Sequence, residues 1–222
     1  MKKGDTLIEV TIAIGIFSLV AIGVANVMSS GLAGSQNSLE ATLAREEVDA
    51  QAEALRFVHA AYISNKNTYD YSSYAELWNK ITKNARTTPN FKPSSCAANF
   101  DGLPDNAFVL DVRNLDNADT DRTFISSKMI GPAVTYPRLI YGASNGLVDN
   151  DASTKLTKAE GIYVVAARDQ GTKIIGLGNQ LTNTPAFYDF YIYTCWYGLD
   201  SETPSSISTV IRLYDPIVTP SS

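Results

Sequence analysis

Glu9 is the charged residue whose surroundings most constrain the function of this chain. No charged residue follows it between positions 10 and 39. A carboxylate placed in an apolar segment costs roughly 2.5–3.5 kcal/mol on membrane-insertion scales, so such a group usually has a partner. Two interpretations are open: Glu9 lies at the interface of a membrane, or it is neutralised by a positively charged group.

Side chains that could catalyse a reaction are scarce. His59 is the only histidine, and it falls beside an apolar stripe on a predicted helix, where a packed or surface position is its expected role. The sequence contains no G-x-S-x-G, H-E-x-x-H, C-x-x-C or Walker A pattern. We therefore expect neither enzymatic activity nor a cofactor.

Two acidic segments carry oxygen ligands of the kind that calcium prefers. The first contains Asp116, Asp119 and Asp121, and the second is residues 149–151. The first lacks the glycine at the sharp turn and the distal glutamate of an EF-hand loop. Solvated loops are the expected structure, with calcium binding as the alternative.

The uncharged run after Glu9 is typical of a helix that crosses a membrane. A helix of about 20 apolar residues spans a bilayer, and residues 10–28 are the predicted span. Lys2 and Lys3 precede it, so the positive-inside rule places the rest of the chain outside the cytoplasm. A cleaved secretory signal is the alternative, although no small-x-small site leads directly into a folded domain.

The N-terminal residues resemble the type IV prepilin family, which includes pilins and pseudopilins. Members have a short basic leader that ends in glycine, a cleavage site, and a mature helix whose fifth residue is glutamate. Residues 1–4 match the leader, so cleavage would fall between Gly4 and Asp5, and Glu9 would be the fifth mature residue. The core motif is matched by Thr6, Leu7, Ile8, Glu9 and Val10.

The resemblance implies a role for Glu9 in assembly. Cleavage after Gly4 would release an α-amino group with a reference pKa near 8. Glu9 of one subunit would neutralise that amine on a neighbour and fix the axial register of packed helices. Asp5 departs from the family, which usually has phenylalanine there, so the amine, Asp5 and Glu9 would sum to about −1. Whether the family's N-methylation occurs on Asp5 stays open.

Helical spacing continues past the predicted membrane span. Residues 39–63 contain neither proline nor glycine and are rich in good helix formers. We predict one long helix over residues 5–63. Its predicted apolar stripe is Leu39, Leu43, Val48, Ala52, Leu55 and Tyr62.

A β-rich head is predicted for residues 64–222, which makes the fold class α+β, with an antiparallel sheet laid on the second half of the helix. A short helix is predicted over 74–85, with Leu77, Trp78 and Ile81 inward. Residues 168–171 are predicted to form a hairpin turn between two strands, and the last two strands should pair best. The predicted strands are 107–113, 138–142, 161–167, 173–177, 187–197 and 208–214.

Cys96 and Cys195 are the only cysteines. In an exported head an even pair favours a disulfide, worth about 4.7 kcal/mol in the chain-entropy model. Two reduced, buried cysteines are the alternative. Many members of the family have a disulfide near the C-terminal region, which suits Cys195 better than Cys96.

The expected function is a structural subunit of a type IV pilus that supports adhesion, twitching motility or DNA uptake. Its expected partners are other pilin subunits, a prepilin peptidase, an inner-membrane assembly platform and, before assembly, the cytoplasmic membrane; the mature subunit would be extracellular. Loss of Lys2 and Lys3 takes the formal charge from −5 to −7, which disfavours nucleic-acid binding. The alternatives are a pseudopilin of a type II secretion system and a signal-anchored binding domain that does not polymerise.

Overall fold

One long helix, α1 (Asp5–Asn65), carries the apolar N-terminal run and continues beyond it. The computed structural model describes residues 5–65, 73–83, 85–86, 100, 103–115, 120–133, 135–141, 157–169, 172–175, 181–184, 187–198 and 203–215. The chain divides into two units, Met1–Glu40 and Ala41–Ser222, and the division falls within α1. The long apolar helix and an antiparallel sheet make this an α+β protein.

In the second unit, α1 buries a stripe of side chains against the sheet. The buried members are Ala44, Val48, Gln51, Ala52, Ala54, Leu55 and Val58. Three residues of the predicted stripe are among them, but Leu43 is only partly buried and Leu39 is exposed. The five-residue step from Leu43 to Val48 turns the helix by about 140° away from the buried face, whereas the four-residue step from Ala44 turns it by only about 40°.

A short helix, α2 (Ser73–Thr82), packs beside α1. Leu77, Trp78 and Ile81 are buried, as the sequence predicts. The Trp78 ring lies 5.6 Å from the ring of Tyr62 on α1. One further helical turn, α3 (Thr120–Thr123), precedes the second strand.

The largest sheet has five strands, all antiparallel to their neighbours. The strands are β1 (Ala107–Leu110), β2 (Phe124–Ser126), β6 (Ile162–Arg168), β9 (Phe187–Trp196) and β10 (Ser205–Tyr214). Their order across the sheet is β10-β9-β6-β1-β2. β9 and β10 pair continuously from Ser205 opposite Trp196 to Tyr214 opposite Phe187, which confirms the predicted pairing of the last two strands.

Two smaller sheets complete the described part of the head. In the three-stranded sheet, β5 (Lys158–Glu160) lies between two strands. It pairs parallel with β3 (Ile130–Gly131) and antiparallel with β4 (Arg138–Ile140). β7 (Thr172–Ile175) pairs with β8 (Leu181–Thr184). The predicted hairpin between the strands that flank residues 168–171 is therefore wrong. β9 pairs along the whole of β6 on one side. On the other side β1 pairs with Val164 and Val165, and Arg86 bonds to the backbone of Ala166 and Arg168, so β7 has no side of β6 to pair with.

Gly161 links β5 and β6, and only glycine fits there. Its φ is +68°, and an added Cβ would lie 2.5 Å from the Ala133 Cβ and 2.6 Å from the Cys195 carbonyl oxygen. The Gly161 N–H donates to the Gly131 carbonyl at 2.8 Å, and the Cys195 N–H donates to the Gly161 carbonyl at 2.8 Å. The close approach therefore joins backbone of the three-stranded sheet to backbone of the five-stranded sheet.

Candidate functional site

The first unit exposes apolar side chains on every side of α1. Its most apolar 18-residue window has a mean hydropathy of 2.4 and is 0% buried. The exposed large hydrophobic residues are Leu7, Ile8, Val10, Ile12, Ile14, Ile16, Phe17, Leu19, Val20, Ile22, Val24, Val27, Met28, Leu32 and Leu39. A helix that is apolar all round belongs in a membrane or among other helices.

By length and composition α1 qualifies as a candidate membrane span. A core helix of a soluble domain can pass the same test, but such a helix would be mostly buried, and this window is not. A signal sequence near the N-terminus passes the test as well. The fold and this surface define a class of protein: an α+β head that follows a single apolar, span-length N-terminal helix.

Glu9 lies in the second turn of α1, with its side chain exposed. From position 5 to position 40 the sequence has no lysine, arginine or histidine. A cationic partner for Glu9 must therefore come from outside that stretch of chain. Asp5 and Thr6 begin the helix, Leu7 and Ile8 are exposed beside Glu9, and Gly4 lies outside the described residues.

Four hydroxyl groups of the uncharged segment donate hydrogen bonds to backbone carbonyls of α1 itself. The Thr11 hydroxyl donates to the Ile8 carbonyl at 2.9 Å, and the Ser18 hydroxyl donates to the Ile14 carbonyl at 2.8 Å. Ser30 and Ser38 bond to backbone carbonyls in the same way, at 3.0 Å each. Because each hydroxyl already has an acceptor, its transfer into an apolar environment costs less.

The same segment of α1 contains four glycines. Apart from the chain neighbours and the backbone of the adjoining helical turns, no atom of the described chain lies within 4 Å of the position that a Cβ would occupy at Gly15, Gly23, Gly31 or Gly34. These glycines therefore do not serve a close contact with the rest of the described chain. Each costs roughly 1 kcal/mol relative to alanine in a helix interior.

Cys195, on β9, takes part in a disulfide bond. Its side chain is buried. Cys96, the other cysteine in the sequence, lies outside the described residues. The disulfide therefore constrains β9 at Cys195, the residue whose N–H donates to the Gly161 carbonyl.

The calcium candidates are only partly within the described chain. Asp116, Asp119 and residues 149–151 lie outside it. Asp121 is exposed, and one of its carboxylate oxygens accepts a hydrogen bond from the Lys80 Nζ at 3.0 Å. Among the residues that are described, no group of three or more His, Cys, Asp or Glu side chains is arranged to hold a metal ion.

His59 packs where α1 meets α2 and the end of β10. Its ring lies 4.9 Å from the Trp78 ring, and its Nε2 lies 3.0 Å from the Tyr214 carbonyl oxygen. Tyr188 and Phe190 of β9 also contact Trp78, at 5.6 and 5.7 Å between ring centroids. The only histidine is therefore a packed helix histidine in an aromatic cluster.

Two buried polar side chains of the head were not singled out by sequence reasoning. The Gln51 amide forms two hydrogen bonds with Leu110: its Nε2 donates to the carbonyl at 2.8 Å, and its Oε1 accepts from the N–H at 2.9 Å. The Asp111 carboxylate accepts from the Arg113 N–H, the Asn114 Nδ2 and the Thr157 hydroxyl, at 3.0, 2.8 and 2.5 Å. These bonds end β1 at Leu110, so the predicted extension of that strand to residue 113 is wrong. The sequence signal for a turn at this position was the presence of Asp111 and Asn114, because aspartate and asparagine are turn-forming residues.

Glu47 and Tyr141 form a partly buried group next to this turn. Burial raises the pKa of Glu47, and the neighbouring Glu46 raises it further. Burial also raises the pKa of Tyr141, and the charges of Glu47 and Asp111 add to the effect. The Arg113 guanidinium carbon lies 3.3 Å from the centroid of the Tyr141 ring and opposes this shift.

Comparison with known proteins gives no relative for this chain. No protein-family model, curated protein or solved structure matches it. Its function is therefore inferred from its own residues.

Proposed function

We propose that the chain is a structural subunit of a type IV pilus, cleaved between Gly4 and Asp5 and assembled by packing of its N-terminal helices. The observation that carries the proposal is the segment from Leu7 to Leu39, which is helical and exposed all round, predominantly apolar as far as Met28, and uncharged except for the carboxylate of Glu9. Before assembly, lipid would cover this surface; in a filament, neighbouring helices would cover it.

Glu9 is the assembly residue in this proposal. It has no cationic partner from position 5 to position 40 of its own chain, so a neighbour's new α-amino group supplies the missing charge. Placing this ion pair in an apolar filament core fixes the register, because a helix shifted along its neighbour leaves both charges buried and unpaired. The internally bonded hydroxyls of Thr11 and Ser18 tolerate the same environment.

Glu9→Ala tests this role directly. We expect the variant to accumulate in the membrane at the normal level and to be missing from filaments sheared off the cell surface. Glu46→Ala is the matched control, because it makes the same change on an exposed residue of the same helix outside the apolar segment. Filaments formed by Glu9→Ala at the normal level would refute the assembly role.

Mass spectrometry of the sheared material tests the processing step. We expect a mature protein that begins at Asp5. Exported protein that retains Met1 to Gly4 would exclude the prepilin interpretation and favour a signal-anchored domain. Abundance distinguishes the remaining roles: a major pilin dominates the filament fraction, whereas a minor pilin or a pseudopilin is a trace component.

A further inference from the structure

The charged groups that the proposed assembly brings together do not balance. Cleavage after Gly4 gives Asp5 an α-amino group, which is positively charged below its reference pKa near 8. The carboxylates of Asp5 and Glu9 are both negatively charged in water at neutral pH. Because positions 10–39 contain no charged residue, nothing else in that stretch of chain offsets the difference. Each subunit therefore brings a net charge of about −1 to the packed helices.

Covalent geometry places the surplus charge at the proposed ion pair itself. The new α-amino group and the side-chain carboxylate belong to the same residue, Asp5, and bond lengths keep them within about 5 Å of each other. The Glu9 carboxylate that pairs with this amine therefore approaches a second carboxylate, whatever the rotamer of Asp5. The N-terminus of a helix adds only about half of a positive charge. The dipole of α1 therefore leaves part of the surplus uncompensated.

The surroundings of Glu9 would exclude water from this contact in a filament. Leu7, Ile8 and Val10 lie next to Glu9, and all three are exposed apolar side chains that helix packing would cover. A buried charge without a partner is strongly destabilising, and two carboxylates that share such a site do not both stay ionised. A proton neutralises one of them without further ligands, because a carboxylic acid donates a hydrogen bond to the remaining carboxylate.

We propose that each subunit takes up one proton as it enters the filament, held between the Asp5 carboxylate of one subunit and the Glu9 carboxylate of its neighbour. This inference rests on the proposed pilus function and adds a condition that governs assembly: acid favours the filament. In unassembled subunits, carboxylates ionise near about pH 4 and the amine loses its proton near about pH 8, so the charge at these groups is constant between about pH 5 and 7. Uptake of one proton per subunit then raises the equilibrium constant for subunit addition about tenfold for each unit by which the pH falls.

Sedimentation of sheared filaments in a non-ionic detergent tests this dependence. Filaments of the mature chain are equilibrated between about pH 5 and 7, and the concentration of subunit in the supernatant is measured. For the wild type we expect this concentration to rise about tenfold for each unit by which the pH rises. In Asp5→Asn the amine and Glu9 balance, so we expect a change of less than about twofold for each pH unit.

Asp49→Asn is the matched control for the substitution. It makes the same change at an exposed position of α1 outside the apolar segment, so it should keep the wild-type dependence on pH. Infrared spectroscopy of intact filaments is a second measurement that needs no dissociation. At neutral pH the C=O stretching band of a protonated carboxyl group should be stronger in wild-type and Asp49→Asn filaments than in Asp5→Asn filaments.

Four results would overturn proton uptake. The first is a supernatant concentration that does not change with pH in the wild type, and the second is an equal dependence on pH in the wild type and Asp5→Asn. The third is a wild-type filament that responds to the concentration of sodium or magnesium instead of pH, because a metal cation would then supply the charge. The fourth is a correctly cleaved Asp5→Asn chain that fails to assemble, because this variant removes the surplus charge.

The N-terminus of the filament subunits separates this inference from the function on which it rests. If no filaments form, or if their subunits do not begin at Asp5, the pilus function and proton uptake are both refuted. Filaments whose subunits begin at Asp5 but do not respond to pH would refute proton uptake alone. The wild-type measurement decides this even if Asp5→Asn is not cleaved.

Discussion

Replacing Gln51 by leucine tests how α1 is joined to the sheet. In the native head the Gln51 amide satisfies both the N–H and the carbonyl of Leu110, and its side chain is fully buried. Leucine has nearly the same size but no polar atom. The substitution therefore leaves two backbone groups of β1 buried without these partners.

The size of the effect follows from those two groups. Each buried unsatisfied group costs about 1–3 kcal/mol, so the pair costs about 2–6 kcal/mol. Burial of the leucine side chain offsets about 1.5–3 kcal/mol of this. We expect a net loss of about 2 kcal/mol in the free energy of unfolding, equivalent to a fall in Tm of about 4–8 °C for a unit of this size.

Tryptophan fluorescence is the appropriate assay. Trp78 and Trp196 are the only tryptophans in the chain, and both are buried in the head, so their emission reports unfolding of the head alone. Urea unfolding of the full chain in detergent would give the difference in free energy. Gln36→Leu is the matched control: it makes the same substitution at an exposed position of α1 and should change stability by less than about 0.5 kcal/mol.

A Gln51→Leu variant as stable as the wild type would contradict the reasoning. It would mean that water or a shifted backbone satisfies Leu110 at no cost. A Gln36→Leu variant destabilised to the same extent would mean that the assay does not isolate the head. Destabilisation of the first variant alone supports the role of Gln51.

Two further predictions concern the head. Gly161→Ala should lower the free energy of unfolding by at least about 2–3 kcal/mol, because the new methyl group meets Ala133 and the Cys195 carbonyl at a positive φ. Gly131→Ala is the control, because its Cβ would meet nothing within 4 Å. Equal stability of the two variants in urea unfolding would contradict the prediction. The pKa of Glu47 is raised above 4.5 in the folded head, so the stability that its protonated form contributes is present below pH 4.5 and is lost as the pH rises through the raised pKa. The midpoint of urea unfolding, measured as the pH rises from below 4.5, should fall less in Glu47→Gln than in the wild type. Identical pH profiles of the two proteins would contradict this prediction.

Local patterns predicted the elements whose neighbours lie close in sequence. Leu77, Trp78 and Ile81 follow helical spacing, and they are the buried residues of α2. The adjacent runs that form β9 and β10 are rich in aromatic and β-branched residues, and they pair over their full length. In these cases the periodicity that specifies the element also specifies the face that is buried.

Contacts between residues distant in sequence overrode the other predictions made from local patterns. Residues 168–171 have the composition of a hairpin turn, yet β6 is already paired on both sides by strands distant in sequence. The short strands β2, β3, β5 and β8 are not predicted by the sequence. The equally short strands β1, β4 and β7 are predicted, but each is shorter than its predicted range. The sequence of β1 reads as extended beyond Leu110, but the hydrogen bonds of Asp111 form a turn there.

The sequence by itself determined the N-terminal helix, its uncharged surface and the isolated position of Glu9, because these depend on residue type and helical spacing alone. It also determined the α+β class, since helical and strand periodicities occupy separate parts of the chain. Only the tertiary structure decided which face of α1 is buried and that Gln51 bonds to Leu110. It also decided that only glycine fits at position 161, where the two sheets meet, and that β10 lies at an edge of its sheet. Each of these depends on groups distant in sequence meeting within a few ångströms, and no local pattern encodes that distance.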